Sequence, residues 1–224
     1  MESLSATTPR RGFIKSVAAV AAALAAGRVS TAEAEVASRD RHLLSPLTDA
    51  WVARIHGKHR QVFDAVSAND GFAALFALNF IDGYKQTHNS PDSDITAVVS
   101  YRHFAMPLVV NDAIWSKYKV GEVINVTDPK TKAPATRNIF HDAIQMHPGL
   151  TYEALVAKPG VIMTACNLAL TVLSGITAPK AGVTPEVAKQ EWIAGLLPGV
   201  YLVPSGVYAI SRAQEAGCTY CSAG

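Results

Sequence analysis

Short runs of β-branched and apolar residues recur between helix-patterned segments, and this alternation constrains the fold more than any other feature of the chain. Residues 95–101 (Ile-Thr-Ala-Val-Val-Ser-Tyr), 161–165 (Val-Ile-Met-Thr-Ala) and 200–203 (Val-Tyr-Leu-Val) read as strands, and 61–67 and 218–221 as two more. Between them, helical spacing covers 69–87, 109–118, 152–158, 166–175, 185–196 and 205–216. On the first helix, Phe72, Leu75, Phe76, Asn79 and Phe80 are expected to form the inward face, and on the second Trp115 and Tyr118 pack inward. Thr184 followed by Pro185 is a helix start, with Thr as cap and Pro in the first turn. Strands and helices alternating at this length predict a mainly parallel five-stranded sheet, covered on both faces in a three-layer α/β/α sandwich. The stretch 119–150 is polar and broken by Pro129, Pro134 and Pro148, which predicts a long arm acting as a lid or an interface element.

The N-terminus reads as an address. Arg10 and Arg11 precede Gly-Phe-Ile-Lys and an alanine-rich apolar run over 16–27, with Ala32-Glu33-Ala34 as a small-x-small cleavage site. A spanning helix needs about 20 apolar residues, so this run suits a cleaved signal rather than an anchor. Residues 1–34 are therefore expected to be a twin-arginine export signal and 35–57 a helical lead-in. The domain proper covers 58–224 and ends up in the periplasm or otherwise outside the cytoplasm, without stable membrane insertion after cleavage. Cleavage after Ala34 removes Arg10, Arg11, Lys15 and Arg28 against Glu2 and Glu33, which cancels the precursor's net charge of +2. A chain this balanced has no basic footprint for nucleic acid. The sequence also lacks a Gly-x-Gly-x-x-Gly turn, a phosphate loop, a Gly-x-Ser-x-Gly elbow and a His-Glu-x-x-His motif. No cofactor is expected, and none of the seven histidines has a clear ligand spacing with a carboxylate, so no metal is expected either.

In open parallel sheets ligands bind beyond the carboxyl ends of the strands. Those ends carry Ser67 and Asn69, then Arg102 and His103, then Cys166 and Asn167, then Pro204 and Ser205. Cys166 also opens a helix, where unpaired N–H groups and the helix dipole favour a thiolate. On these grounds Cys166 is the candidate nucleophile, with His103 and Arg102 tuning it. Asn167, Ser205, Ser67 and Asn69 are the candidate ligand-binding groups. From spacing alone the alternative stands that Cys166 is a small buried hydrophobe. Cys218 and Cys221 have CxxC spacing but lie on an expected strand, where positions three apart point to opposite faces; a disulfide, a metal site and ordinary thiols all stay open for them.

The segment Gly160-Val-Ile-Met-Thr-Ala-Cys-Asn-Leu-Ala-Leu resembles the cysteine segment of the DsrE/DsrF-like family. The same holds for Ala194-Gly-Leu-Leu-Pro-Gly-Val-Tyr-Leu-Val-Pro-Ser-Gly-Val and for Ala209-Ile-Ser-Arg-Ala-Gln-Glu-Ala-Gly-Cys-Thr-Tyr. The resemblance covers roughly 58–220, with 119–150 as an unusually long insertion. It implies a five-stranded parallel sandwich, a homo-oligomeric and often trimeric assembly, and a link to sulfur relay. In the sulfur-relay members a cysteine after a central strand carries sulfur as a persulfide, and Cys166 stands at that position. Such a carrier would exchange sulfur with a donor or acceptor protein. The alternative is a non-catalytic small-ligand, metal-binding or assembly module on the same fold.

Overall fold

The strands are β1 (His59–Ala65), β2 (Ile95–Tyr101), β3 (Val161–Cys166), β4 (Val200–Val203) and β5 (Thr219–Ser222). The computed structural model, which describes residues 49–141, 147 and 151–224, pairs them all in parallel in the order β4-β3-β2-β1-β5. The helices are α1 (Phe72–His88), α2 (Asp112–Tyr118), α3 (Val120–Val123), α4 (Tyr152–Ala157), α5 (Asn167–Thr177), α6 (Pro185–Ala194) and α7 (Gly206–Glu215). The expected export signal 1–34 and the lead-in as far as residue 48 lie outside the described residues. The remainder of the lead-in is a single 3-10 turn, Val52–Arg54, beside a fully buried Trp51.

Alternation along the strands sorts the core into two layers. Phe63, Ala65, Ala97, Val99, Tyr101, Met163 and Ala165 face α1, α2, α5 and α6. Val62, Val98 and Ile162 point the other way and, with Val203, meet Ala209 and Ala213 of α7 and the Trp51 ring. The chain is thus a three-layer α/β/α sandwich with helices on both faces. Trp115 and Tyr118 are fully buried, and Thr184 Oγ1 accepts the Val187 N–H as the cap of α6. The sheet tapers: its middle strands run six or seven residues, whereas the edge strands β4 and β5 have four each.

Two expectations are corrected. On α1 the deeply buried stripe is Ala73, Ala74, Ala77, Leu78 and Ile81, while Leu75, Phe76 and Phe80 are only partly buried and Asn79 is exposed. The alanines let the helix lie close on the sheet, and the larger rings flank the contact instead of filling it. The second correction concerns the arm, whose described part packs into the core. A Cβ on Gly121 would stand 2.3 Å from the Ala135 carbonyl oxygen, Thr127 bridges Pro134, and Val126, Ala135, Ile139 and Phe140 are buried. Asn138, fully buried, donates through Nδ2 to the carbonyls of Leu108 (2.8 Å) and Val110 (2.9 Å). Composition made this stretch look like a free arm because what orders it, one short helix, an isolated bridge, a few main-chain hydrogen bonds and the Asn138 side chain, leaves no periodic pattern in the sequence.

Candidate functional site

A parallel crossover is right-handed. The steps from β1 to β2, β3 and β4 all go one way across the sheet, so their helices lie on one face. The return from β4 past β1 to β5 puts α7 on the other. The connections leaving β3 and β4 therefore diverge, which in open parallel sheets leaves a crevice between the carboxyl ends of such neighbours. Cys166 ends β3 and Ser205 follows β4. Both are helix caps: Cys166 Sγ accepts the Ala169 N–H of α5 at 3.3 Å, and Ser205 Oγ accepts the Tyr208 N–H of α7 at 3.2 Å. Cys166 is 5% exposed, and Asn167 beside it is half-buried.

Arg102 reaches this crevice from the end of β2. Its Nε and Nη2 donate to the two carboxylate oxygens of Asp64 at 2.7 and 2.9 Å, and the Tyr220 hydroxyl donates to Asp64 Oδ2 at 2.9 Å. Asp64 is 3% exposed. Hydrogen bonding to Asp64 is the main cause that raises the Arg102 pKa above its ordinary value, with the charge of Asp64 adding to it. Arg102 is thus a cation at the end of β2, the strand next to that of Cys166, held in place by a buried carboxylate. The first turn of α7 rests on the Arg102 stem: a Cβ on Gly206 would stand 2.4 Å from Arg102 Cβ, so glycine is what allows the helix this close.

The other expected site residues sort differently. His103 has a left-handed backbone (φ 51°), is exposed and sets its ring edge-on to Phe104 at 4.3 Å; among the described residues it makes no hydrogen bond to the cysteine. Ser67 and Asn69 belong to a separate cleft of about 420 Å³ beyond β1. Asp70 shares that side with them, while Asn125, Thr127 and Ile139 of the 119–150 segment form the opposing wall. Asn69, Asp70 and Asn125 all adopt positive φ (38°, 48° and 55°), a conformation Asn and Asp tolerate better than other side chains. The sequence reading grouped all the strand ends into one site; the structure divides them into a thiol crevice and a polar cleft.

Sequence reasoning passed over Asp64 and Tyr220. An acidic residue inside the apolar run Val-Phe-Asp-Ala was the available signal, because a mid-strand carboxylate in a buried sheet needs a cationic partner. Nor did the reading single out Ser100 and Thr164, which stand beside Asp64 in successive strands, in the register Asp64, Ser100, Thr164. All three cysteines are free thiols. Cys218 packs in the α7 layer and Cys221 against the opposite layer, as strand alternation requires. Among the described residues no three His, Cys, Asp or Glu side chains converge as a metal site, and no helix is long and apolar enough to cross a membrane.

Burial pushes the Cys218 thiol up to about 11 from an ordinary 9.0, against a smaller opposing effect of Arg60. In the native protein at pH 8, alkylation is expected at Cys221 well before Cys218, read by peptide mass spectrometry. The folded state keeps the Cys218 proton where the unfolded chain releases it. Stability linked to this thiol is therefore present below about pH 9 and lost as pH rises toward 11. A Cys218→Ala variant should lack that alkaline loss.

No family model and no curated protein matches the chain. Among solved structures it is similar to a protein of unknown function, MTH1491 from Methanobacterium thermoautotrophicum, at 18% identity and a TM-score of 0.36, over 73% of this chain and 98% of that one.

Proposed function

We propose that the protein is an exported, DsrE-like carrier of sulfur that holds it as a persulfide on Cys166. The observation that supports this most is the position of the Cys166 sulfur. It caps an eleven-residue helix at the point where the connections of β3 and β4 part, and an anion there meets unpaired N–H groups and the positive end of the helix dipole. Arg102 adds a fixed positive charge; Asn167 and Ser205 follow the ends of β3 and β4, and His103 follows Arg102 after β2. In this reading the carrier acts as a homo-oligomer and exchanges sulfur with a donor or acceptor protein. The stripe Leu168, Val172 and Ile176, exposed along α5, supports assembly through that helix.

A second reading is favoured by the polar cleft and by the low exposure of Cys166: a non-catalytic module that binds a small polar ligand between Ser67, Asn69 and Asp70 and the wall of the 119–150 segment. One experiment separates the two. Purified full-length protein is treated with polysulfide, desalted and examined by mass spectrometry beside Cys166→Ser. The carrier reading expects one sulfur retained on a Cys166 peptide and no retention at that site in the variant. A wild-type protein that takes up no sulfur at Cys166 leaves the binding module.

A further inference from the structure

The face of the sheet beneath α7 is apolar at Val62, Val98, Ile162 and Val203, yet three adjacent positions across it are polar. Asp64 is satisfied by Arg102 and Tyr220. Ser100 and Thr164 are not: both are fully buried, and neither hydroxyl oxygen has a hydrogen-bond partner. An apolar side chain of matching size at either position would bury no unmatched donor. Thr164 lies two residues before Cys166 on β3, hence on the same face, and Ser100 is its register partner on β2. Arg102 stands in the same relation to Ser100. The two free hydroxyls therefore form the floor of the thiol crevice, one row in from the sulfur.

We propose that Ser100 and Thr164 are the hydrogen-bond donors for the outer sulfur of a Cys166 persulfide. The inference rests on the carrier reading and specifies what that site is built to hold. In the loading step the Cys166 thiolate, its proton given to solvent, attacks a sulfur of an inorganic polysulfide. One S–S bond forms to Cys166 and one breaks within the polysulfide, and the electron pair of the broken bond leaves with the shortened polysulfide dianion. The balance needs no further oxidant or reductant. The new sulfur lies about 2.05 Å beyond Sγ. Successive side chains on one face of a strand are about 6.6 Å apart, so a persulfide turned back along β3 brings its terminal charge over Thr164 and toward Ser100. Each hydroxyl offers one O–H and can rotate to meet it. Hydrogen bonds to a charged acceptor are the stronger kind, and they form only in the loaded protein.

The test compares wild type, Ser100→Ala, Thr164→Val, the double variant and Thr164→Ser. Each is loaded with sodium tetrasulfide and followed by intact and peptide mass spectrometry for the half-life of sulfur on Cys166, with melting of the resting protein as the second readout. The expected result is loss of sulfur about tenfold faster or more in the double variant, intermediate loss in the single variants, and near wild-type retention in Thr164→Ser. The resting melting temperature should be unchanged or higher, because an unmatched buried hydroxyl has been removed. Hydroxyls that are only tolerated in the core would give the same melting result with unchanged sulfur retention. A half-life in the double variant within twofold of wild type overturns the inference alone. Should Thr164→Val disturb the fold, Ser100→Ala decides: retention equal to wild type in that variant overturns the inference too. Absence of sulfur on wild-type Cys166 removes the carrier reading, and this inference with it.

Discussion

Arg102→Met is expected to lower stability by about 3–5 kcal/mol, the usual consequence of removing one partner from a buried ion pair. For a chain of this size that is a drop in Tm on the order of 10 °C. The cause is Asp64. Its carboxylate is 3% exposed and would keep only the Tyr220 hydroxyl once the two guanidinium hydrogen bonds are gone. Pairing the change with Asp64→Leu should recover most of the loss, since two apolar side chains suit a layer already built from Val62, Val98 and Ile162. Urea unfolding of the single and double variants checks this. If the double variant is as unstable as Arg102→Met, the stranded carboxylate is not the source of the loss.

The second large effect is expected at Asn138. Its side chain donates to two buried carbonyls, those of Leu108 and Val110, and its Oδ1 accepts the Phe140 N–H at 3.2 Å. Asn138→Ala leaves three main-chain groups without these partners, and each unmatched buried group costs about 1–3 kcal/mol. Partial relaxation brings the expected total to about 3–5 kcal/mol. Asn138→Asp should be comparably damaging, because a carboxylate cannot donate and would face two carbonyl oxygens. Hydrogen exchange read over residues 120–141 should show protection falling there first. A loss below about 1 kcal/mol would mean that the segment is held mainly by Val126, Ala135, Ile139 and Phe140.

These two residues mark where sequence reasoning stops. The strands were legible because Ile95–Tyr101 and Val200–Val203 are β-branched, apolar and bounded by turn residues, and the cap Thr184 announced its helix by its neighbour Pro185. Cys166 was legible as a strand-to-helix residue. What local pattern could not carry was partnership over long separations. Asp64 meets Arg102 and Tyr220 only because β1 sits between β2 and β5, and Asn138 meets Leu108 and Val110 only through tertiary packing. The inward face of α1 was misread for a different reason. Hydrophobicity weights favour rings, whereas helix-to-sheet distance is set by the smallest side chains, here Ala73, Ala74 and Ala77.

The taper of the sheet has a consequence for how the folded protein behaves in a crowded compartment. A foreign strand adding to either border finds a four-residue template, β4 or β5, and so few main-chain groups to pair with. The seven-residue strands, which would template far more, have neighbours on both sides. Recruitment into fibrils by edge addition is thereby disfavoured in the native state, and the hazard moves to partly unfolded chains in which β1 or β2 is uncovered.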